Sequence, residues 1–210
     1  MISTTRTSGS PTPRANARGE RARLRLLDAA LSAFATQGFH GTSTRDIAEA
    51  AAMSPAAVYV HYRTKEELLF QLSLHGHREI RRVVETALGR PEPPAARLRG
   101  LVADYTAWHA RSHVQARVLQ YEFAALLPEH AEQIAAIRGA IEAMFQGAIT
   151  DGVDAGIFRI DDVKMTSLAL LSLGIDVARW FRPGGARSPD EIGNYYGEIA
   201  LRVCGHPGDL

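Results

Sequence analysis

A short segment near the start of the chain collects side chains that donate hydrogen bonds to anions. Its hydroxyl, imidazole, guanidinium and ammonium groups belong to Ser43, Thr44, Arg45, Ser54, Tyr59, His61, Tyr62, Thr64 and Lys65. Such groups contact phosphate oxygens, and an arginine can also donate to the edges of nucleotide bases. These contacts require that the side chains lie on one rigid surface, so the elements that carry them decide whether this chemistry is available.

Three helices are predicted across this segment. The first begins at Ser43 or Thr44, ends over residues 51–53, and is followed by Ser54-Pro55 at the start of the second. Serine caps a helix N-terminus, and proline suits the first helical position. The third helix starts at residues 64–67, a T-x-x-E capping box in which Glu67 is expected to reach back to the Thr64 N–H.

The first two of these helices share an apolar face. Ile47, Ala48 and Ala51 recur at helical spacing, and the second helix, over about residues 55–62, turns Val58 toward them, with Tyr62 as a second inward candidate. This is the outline of a helix-turn-helix, whose second helix enters the DNA major groove. From these residues alone, an ordinary turn in an all-helical protein fits as well.

The segment from Leu26 to Leu69 resembles the DNA-binding domain of the TetR/AcrR family of transcription regulators. The pieces that match in order and spacing are Ala29-Ala30-Leu31-Ser32-Ala33-Phe34, Gly38-Phe39, Thr42-Ser43-Thr44, Asp46-Ile47-Ala48, Ala51, Ser54, Val58-Tyr59, His61-Tyr62 and Lys65-Glu66-Glu67-Leu68. One departure lies at the turn, where the chain reads Ala-Met-Ser-Pro-Ala-Ala instead of Gly-Val before the serine and Gly or Thr after it. We expect this to change which operator is read, not whether DNA is read.

The resemblance implies phosphate contacts at Thr44, at Tyr59 or Tyr62, and at Lys65. Arg45 and the surface of Ala56 and Ala57 are the candidates for base edges, and two alanines can make only apolar contacts there, such as with thymine methyl groups. The predicted DNA-binding set is Ser43, Thr44, Arg45, Ser54, Pro55, Ala56, Ala57, Tyr59, His61, Tyr62, Thr64 and Lys65.

Composition and charge fit this interpretation. The 210 residues are 46% hydrophobic and 22% charged, with a formal net charge of +1. Residues 1–70 hold nine Arg and Lys against six Asp and Glu, so the positive charge is concentrated at the predicted DNA-binding end. The single cysteine, Cys204, excludes a disulfide within the chain. With no secretory signal and no apolar run of ~20 residues, we expect a cytoplasmic protein without membrane contact.

The predicted organisation is all-α with nine helices and no sheet, as the family resemblance also implies. Residues 1–18 should be a disordered basic arm, either a solubilising tail or a segment that touches phosphate or the minor groove. Residues 19–66 should be the helix-turn-helix domain, and residues 67–210 the effector-binding and dimerisation domain. Helix one is predicted over about 20–37 with Gly38 as its stop, helix six over about 114–127, and helix eight as far as Phe181.

Aromatic and polar residues in helices five to seven could line a ligand pocket or belong to the core. Those predicted to bind ligand are Tyr105, Trp108, His109, Arg117, Tyr121 and Phe145. Tyrosine and tryptophan bring polar atoms inside, which suits buried partners or a ligand. The family resemblance implies a small-molecule effector held among these helices, and we place it between helices four and eight.

The run Arg179-Trp180-Phe181-Arg182 resembles a subgroup of TetR-like regulators that respond to acyl-CoA thioesters in lipid or steroid catabolism. Guanidinium groups can hold phosphates, and an indole can stack on a flat ring or an acyl chain, so Arg179, Trp180 and Arg182 join the predicted ligand set. The alternative is that the two arginines complement the C-terminal helix dipole and Trp180 packs in an interface.

Helices eight and nine are either a central core or a two-fold interface. Helix eight is apolar over much of its circumference, and helix nine carries an apolar stripe of Ile192, Tyr195, Tyr196, Ile199 and Val203. The resemblance implies a homodimer in which these helices form a four-helix bundle, and two recognition helices one turn of DNA apart read a palindromic operator. A charge at Ile199 or Leu171 is expected to yield monomers or to unfold the protein.

Nothing in the sequence suggests an enzyme. The eight histidines do not cluster at metal-ligand spacing, and neither a Gly-rich phosphate loop nor a nucleophile elbow occurs, so we predict no catalytic residue, metal or cofactor. The predicted function is a ligand-responsive transcriptional repressor released from its operator by a hydrophobic molecule. The alternatives are a regulator of an efflux pump that responds to planar aromatic compounds and a helical ligand carrier that binds no DNA.

Overall fold

A computed structural model describes residues 13–206, with side chains from residue 17 onward. That part of the chain is all-helical and contains no strand, as predicted. Its helices are α1 (Pro13–Gly41), α2 (Thr44–Ala50), α3 (Pro55–His61), α4 (Lys65–Leu88), α5 (Pro94–Arg111), α6 (His113–Tyr121), α7 (Pro128–Asp154), α8 (Val163–Trp180) and α9 (Pro189–Val203). A single 3₁₀ turn, Phe123–Ala125, follows α6.

Side-chain caps define several of the helix starts. Ser43 and Asp46 form a capping box on α2, and Ser188 and Glu191 form another on α9. Ser54 caps α3, and the Thr64 hydroxyl accepts the Glu67 N–H at the start of α4. The other hydrogen bond predicted for the capping box on α4, from the Thr64 N–H to Glu67, is wrong. The Glu67 carboxylate instead accepts the N–H of Arg63 at 2.7 Å.

The two ends of α1 differ from the prediction. The helix already includes Pro13–Arg18, which were assigned to the disordered arm, whereas residues 1–12 lie outside the described part of the chain. Proline is favoured at the first helical position, and the alanines and arginines that follow are strong helix formers. Gly38 interrupts the helix with φ 71° and ψ 170°, as a stop glycine should, but a final helical turn continues to Gly41.

Helix α6 is shorter than predicted. It ends at Tyr121, and the chain passes through the 3₁₀ turn and Leu126 before Pro128 opens α7. Helix α8 likewise ends at Trp180, one residue before the predicted Phe181, which is in extended backbone and buried.

Helix α4 takes part in two hydrophobic clusters. Its first turns, through Leu68, Leu69 and Leu72, pack with α1, α2, α3 and the start of α7. Its later turns, through Ile80 and Val84, pack with α5, α7, α8 and α9. The N-terminal helices and the body of the molecule therefore share one continuous helix. None of the described helices is long and apolar enough to span a membrane.

Candidate DNA-binding surface and effector cavity

The recognition helix α3 is oriented by its buried face. Val58 is fully buried and Tyr62 is 6% exposed, both in the cluster that contains Ile47 and Ala48 of α2. Ala56 is exposed on the opposite side, Tyr59 is exposed beside it, and Ser54 and Pro55 are exposed at the start of the helix. The two inward predictions are confirmed, and the outward surface is the one that a DNA groove can reach.

Helices α2 and α3 are also joined at their outer edge. The Thr44 hydroxyl and the Tyr59 hydroxyl lie 3.2 Å apart, within hydrogen-bond distance. Ser43 and Arg45 beside them are exposed, as is Thr64, and His61 is half-buried. Most of the predicted DNA-binding side chains are therefore accessible, and one contact joins the two helices that carry them.

Two residues of that set have positions that differ from the expected role. The Lys65 ammonium donates to the backbone carbonyls of Phe39 at 2.6 Å and Thr42 at 2.7 Å, and it lies 4.2 Å from the centre of the Phe39 ring. Two of its three donors thus stabilise the end of α1 and the residue that follows it, where the Phe39 carbonyl also accepts the Thr42 N–H at 3.3 Å. Tyr62 is too deeply buried for its ring to contact DNA, which leaves Tyr59 as the phosphate candidate of the pair.

Sequence reasoning missed Val60. It is 79% exposed and lies four residues from Ala56, on the face of α3 opposite the buried Val58. An exposed β-branched residue on the outer face of a helix has no folding role there, so it extends the apolar contact surface proposed for Ala56. The signal was available in the helical spacing from Val58.

The body of the molecule contains a cavity of about 220 Å³ between α4, α5, α6, α7 and α8. Three of the predicted ligand residues, Tyr105, Trp108 and His109, line it. The rest of the lining is mostly apolar, and its other polar side chains are His77, Gln120, Arg138, Glu142 and Ser172.

The histidines in this cavity are neutral groups at neutral pH. Burial lowers the pKa of His77 to about 4, and burial lowers the pKa of His109 to about 4 as well. His77 Nδ1 lies 2.8 Å from the Ser73 carbonyl, so that nitrogen carries the proton and Nε2 accepts a hydrogen bond from Arg138 Nε at 2.9 Å. Burial also raises the pKa of Tyr105, which therefore stays a neutral hydroxyl.

A second cavity of about 260 Å³ adjoins the first. The two share Ala116, Gln120, Ser172 and Ile175 in their linings. Arg117, Tyr121 and Arg179 of the predicted ligand set line the second cavity. Arg179 also forms a bidentate pair with Asp176, at 2.8 and 3.0 Å, which lowers the pKa of that carboxyl group.

Three predicted ligand residues lie outside both linings, so this part of the prediction is corrected. Phe145 is fully buried, with its ring 5.1 Å from that of Tyr105, and belongs to the core behind the cavity. Trp180 is 43% exposed at the end of α8. Arg182 donates to the carbonyls of Arg179 and Phe181, as the helix-dipole alternative anticipated.

A polar contact links the DNA-binding end to the body. The Glu66 carboxylate, in the first turn of α4, is within 2.8 and 3.1 Å of His130 Nδ1 on α7 and accepts the N–H of Leu127 at 3.0 Å. The His130 ring stacks on Phe70 at 3.8 Å. Glu66 thereby satisfies an unpaired backbone donor at the start of α7.

These features define a class of protein, a DNA-binding regulator with a ligand-sized cavity in its body. Residues 26–72 match the family of bacterial regulatory proteins described as the tetR family, and residues 91–204 match the tetracyclin repressor-like C-terminal domain. The chain belongs to the TetR family of transcription regulators and is not an enzyme.

Individual proteins and solved structures of this family are similar to the chain over most of its length. The transcriptional repressor KstR2 of Rhodococcus jostii RHA1 is 30% identical over 193 residues, which cover 88% of this chain and 92% of that repressor. A tetR-family regulatory protein from Rhodococcus RHA1 has a TM-score of 0.85 at 41% identity, over 90% of this chain and 99% of that one. AibR in complex with isovaleryl coenzyme A and operator DNA shares the fold, with a TM-score of 0.77 at 23% identity, over 85% of this chain and 97% of that one.

Proposed function

We propose that the protein is a homodimeric repressor that reads a palindromic operator with α3 and is released by an acyl-CoA thioester. The observation that carries this proposal is the pair of adjoining cavities, of which one is mainly apolar and the other contains arginines. An acyl chain suits the first, and the phosphate groups of coenzyme A suit the guanidinium groups of the second.

The DNA-binding half of the proposal rests on the exposed surface of α2 and α3. Ser43, Thr44, Arg45, Ser54, Tyr59 and Thr64 supply donors for phosphate or base edges, and Pro55, Ala56, Ala57 and Val60 form its apolar part. The Thr44–Tyr59 contact holds the two helices in register, so a phosphate can bind both hydroxyls at one place.

The homodimer is supported by two apolar stripes at the surface of the body. Met165, Ala169, Leu173 and Trp180 recur along the exposed side of α8, and Tyr195, Ile199 and Val203 recur along α9. Large apolar side chains in such an arrangement mark an interaction surface. Leu171, offered from the sequence as an interface residue, is instead buried at the cavity wall and is replaced in this role by Leu173.

The effector half of the proposal is supported by residues of both cavities. Trp108, Leu168 and Ile175 provide apolar contact for an acyl chain, and Arg117 and Arg179 lie where the second cavity meets α6 and α8. AibR, which has the same fold, binds isovaleryl coenzyme A. A planar aromatic compound is the competing effector, because Tyr105 and Trp108 offer ring faces in the first cavity.

The test first selects the genomic DNA fragments that the purified protein binds. Fluorescence anisotropy then measures whether an added compound releases the protein from a selected fragment. A panel of acyl-CoAs, the matching free acids and planar aromatic compounds separates the three effector classes. Release by thioesters but not by free acids supports the proposal, and it should weaken in Arg117→Gln and Arg179→Gln. Arg187→Gln, in the exposed loop before α9, is the matched control.

Three outcomes would contradict the proposal. Release by aromatic compounds and by no thioester would favour an efflux-pump regulator. Ligand binding without retention of any genomic fragment would favour a helical carrier. A ligand can shift the DNA-bound state only through a difference in its affinity for the two states, so binding without release would also count against a repressor.

A further inference from the structure

The lining of the first cavity includes a cationic side chain, that of Arg138. Among the described side chains, Arg138 forms no ion pair with a carboxylate. Its Nε donates to His77, one Nη donates to the Leu119 carbonyl at 3.4 Å, and the Phe123 ring covers one face of the guanidinium at 4.3 Å. Since a guanidinium has five donors, most of them remain for a ligand.

The neighbours of Arg138 do not remove this charge. His77 and His109 are neutral, so neither competes with Arg138 as a cation nor compensates it. Glu142 lies one helical turn further along α7 and lines the same cavity, but it accepts a hydrogen bond from Gln146 at 2.9 Å and forms no ion pair with Arg138. A partly buried charge without an opposite charge is costly, and a bound anion would offset that cost.

We propose that Arg138 binds a carboxylate of the effector inside the apolar cavity, so that the natural ligand is an acid and not a purely hydrocarbon chain. This inference deepens the proposed function and rests on it for the location of the effector. The Tyr105 hydroxyl and the His109 imidazole line the same cavity and are available as neutral hydrogen-bonding partners.

Two sources could supply this carboxylate. One is the far end of an acyl group whose other end is a CoA thioester in the second cavity, as in a thioester of a dicarboxylic acid. The other is the head group of a free acid that enters the first cavity alone. Both place the same chemical group at Arg138, where a planar guanidinium can bind two carboxylate oxygens at once.

The experiment measures affinity by calorimetry for ligand pairs that differ in one carboxylate. Adipyl-, suberyl- and sebacyl-CoA are compared with hexanoyl-, octanoyl- and decanoyl-CoA, and the corresponding free monoacids are compared with their methyl esters. The proteins are the wild type, Arg138→Met, Arg138→Lys and Glu142→Gln. Thermal unfolding of each variant shows whether it is folded. If Arg138→Met does not fold, Arg138→Lys still tests the site, because it keeps the positive charge and loses the planar guanidinium.

The wild type should prefer the carboxylate-bearing member of at least one pair series by about 10-fold to 100-fold, the range of a charge-assisted hydrogen bond. Arg138→Met should abolish that preference, and Arg138→Lys should reduce it. Glu142→Gln should increase it, because the change removes a negative charge from the same cavity. The series in which the preference appears identifies the source of the carboxylate.

Absence of a carboxylate preference in both series, including absence of any binding, would overturn the inference, as would a preference that persists in Arg138→Met. These outcomes are separable from failure of the proposed function. If monoacyl-CoAs release DNA and no carboxylate preference exists, the proposed function holds and the inference fails. If only free acids bind, and do so through Arg138, the inference holds and the acyl-CoA assignment fails.

Discussion

At the scale of single residues, Lys65 should contribute more to folding than to DNA binding. Its ammonium donates to the carbonyls of Phe39 and Thr42, and no other side chain on α4 replaces it there. We therefore expect Lys65→Ala to lower the free energy of unfolding by about 2 kcal/mol, the scale of charged hydrogen bonds. Thermal and urea denaturation measure this loss.

The matched control is Lys164→Ala, since Lys164 is the other lysine in the sequence and is exposed on α8. It should change stability by no more than about 0.5 kcal/mol. Lys65 would instead be chiefly a phosphate contact if Lys65→Ala were as stable as the wild type and its DNA affinity depended less on salt. The slope of log affinity for DNA against log salt concentration would then be flatter by about one.

His109 should make the protein less stable in acid. Because its folded pKa of about 4 lies below the ordinary value of 6.5, the unfolded chain binds the extra proton between those pH values. Stability is therefore retained above 6.5 and lost as pH falls toward 4, with a slope of roughly 1.4 kcal/mol per pH unit from this residue.

Replacement by glutamine removes that titration. The free energy of unfolding of His109→Gln, measured by urea denaturation at several pH values, should depend less steeply on pH than that of the wild type. Equal slopes in the two proteins would show that His109 is already protonated in the folded state or is not buried there.

The sequence allowed part of the cavity to be predicted. Tyr105, Trp108 and His109 are predictable as candidates because aromatic side chains that carry a polar atom suit a ligand or a buried partner. Arg138 was missed because an arginine on a long helix is normally solvent-exposed, and only the packing of α4 and α6 around it creates the contact with His77. Trp180 and Arg182 were assigned to the ligand from a motif, but both are exposed and neither lines either cavity.

At the scale of elements, α9 depends on two glycines for its closeness to α5. A Cβ at Gly197 would lie 2.6 Å from the Arg99 carbonyl oxygen, and one at Gly193 would collide with the Ala103 carbonyl. Gly197→Ala must therefore push α9 away from α5, and we expect a loss of about 1–3 kcal/mol in the free energy of unfolding. Chemical denaturation with far-ultraviolet circular dichroism measures it.

Gly147→Ala on α7 provides the control, because its Cβ would meet no atom within 4 Å. Alanine is the better helix former, so this variant should gain about 0.5–1 kcal/mol. If both variants gained stability, the close approach of α9 to α5 would be absent from the folded protein.

Helix starts were predictable to within a residue wherever a side chain supplies the cap. Ser54, Thr64, Asp162 and Ser188 each accept a backbone N–H in the structure, and these interactions are local in sequence. The end of α6 was not predictable in the same way. The chain there leaves the helix at Glu122 without a glycine or proline, and packing of Phe123 and Leu126 against the first cluster determines its path.

At the scale of the whole molecule, the apolar stripe on α8 should hold two copies together. Leu173 is 41% exposed in its centre, so Leu173→Glu should remain folded and become monomeric, because a charge cannot be buried unpaired in a dimer interface. Sedimentation measures the mass, and operator affinity should fall with it, since half-sites are read in pairs.

Leu24→Glu is the control for a charge at an exposed leucine elsewhere, and it should stay dimeric. A folded Leu173→Glu protein with the mass of a dimer would show that the subunits associate through a different surface. Leu171→Glu does not serve this purpose, because that side chain faces the cavity and its substitution would disturb ligand binding and folding together.

Helix α7 carries His130 and Arg138 on one face, two turns and roughly 12 Å apart. The first reaches Glu66 beside the recognition unit, and the second reaches into the cavity, whereas no residue of α2 or α3 belongs to the cavity lining. Under the proposed function, effector specificity and operator specificity therefore depend on different residues. The ligand specificity of a biosensor built on this protein could be changed by libraries at Trp108, Leu168 and Ile175, while α7 and the operator are left unchanged.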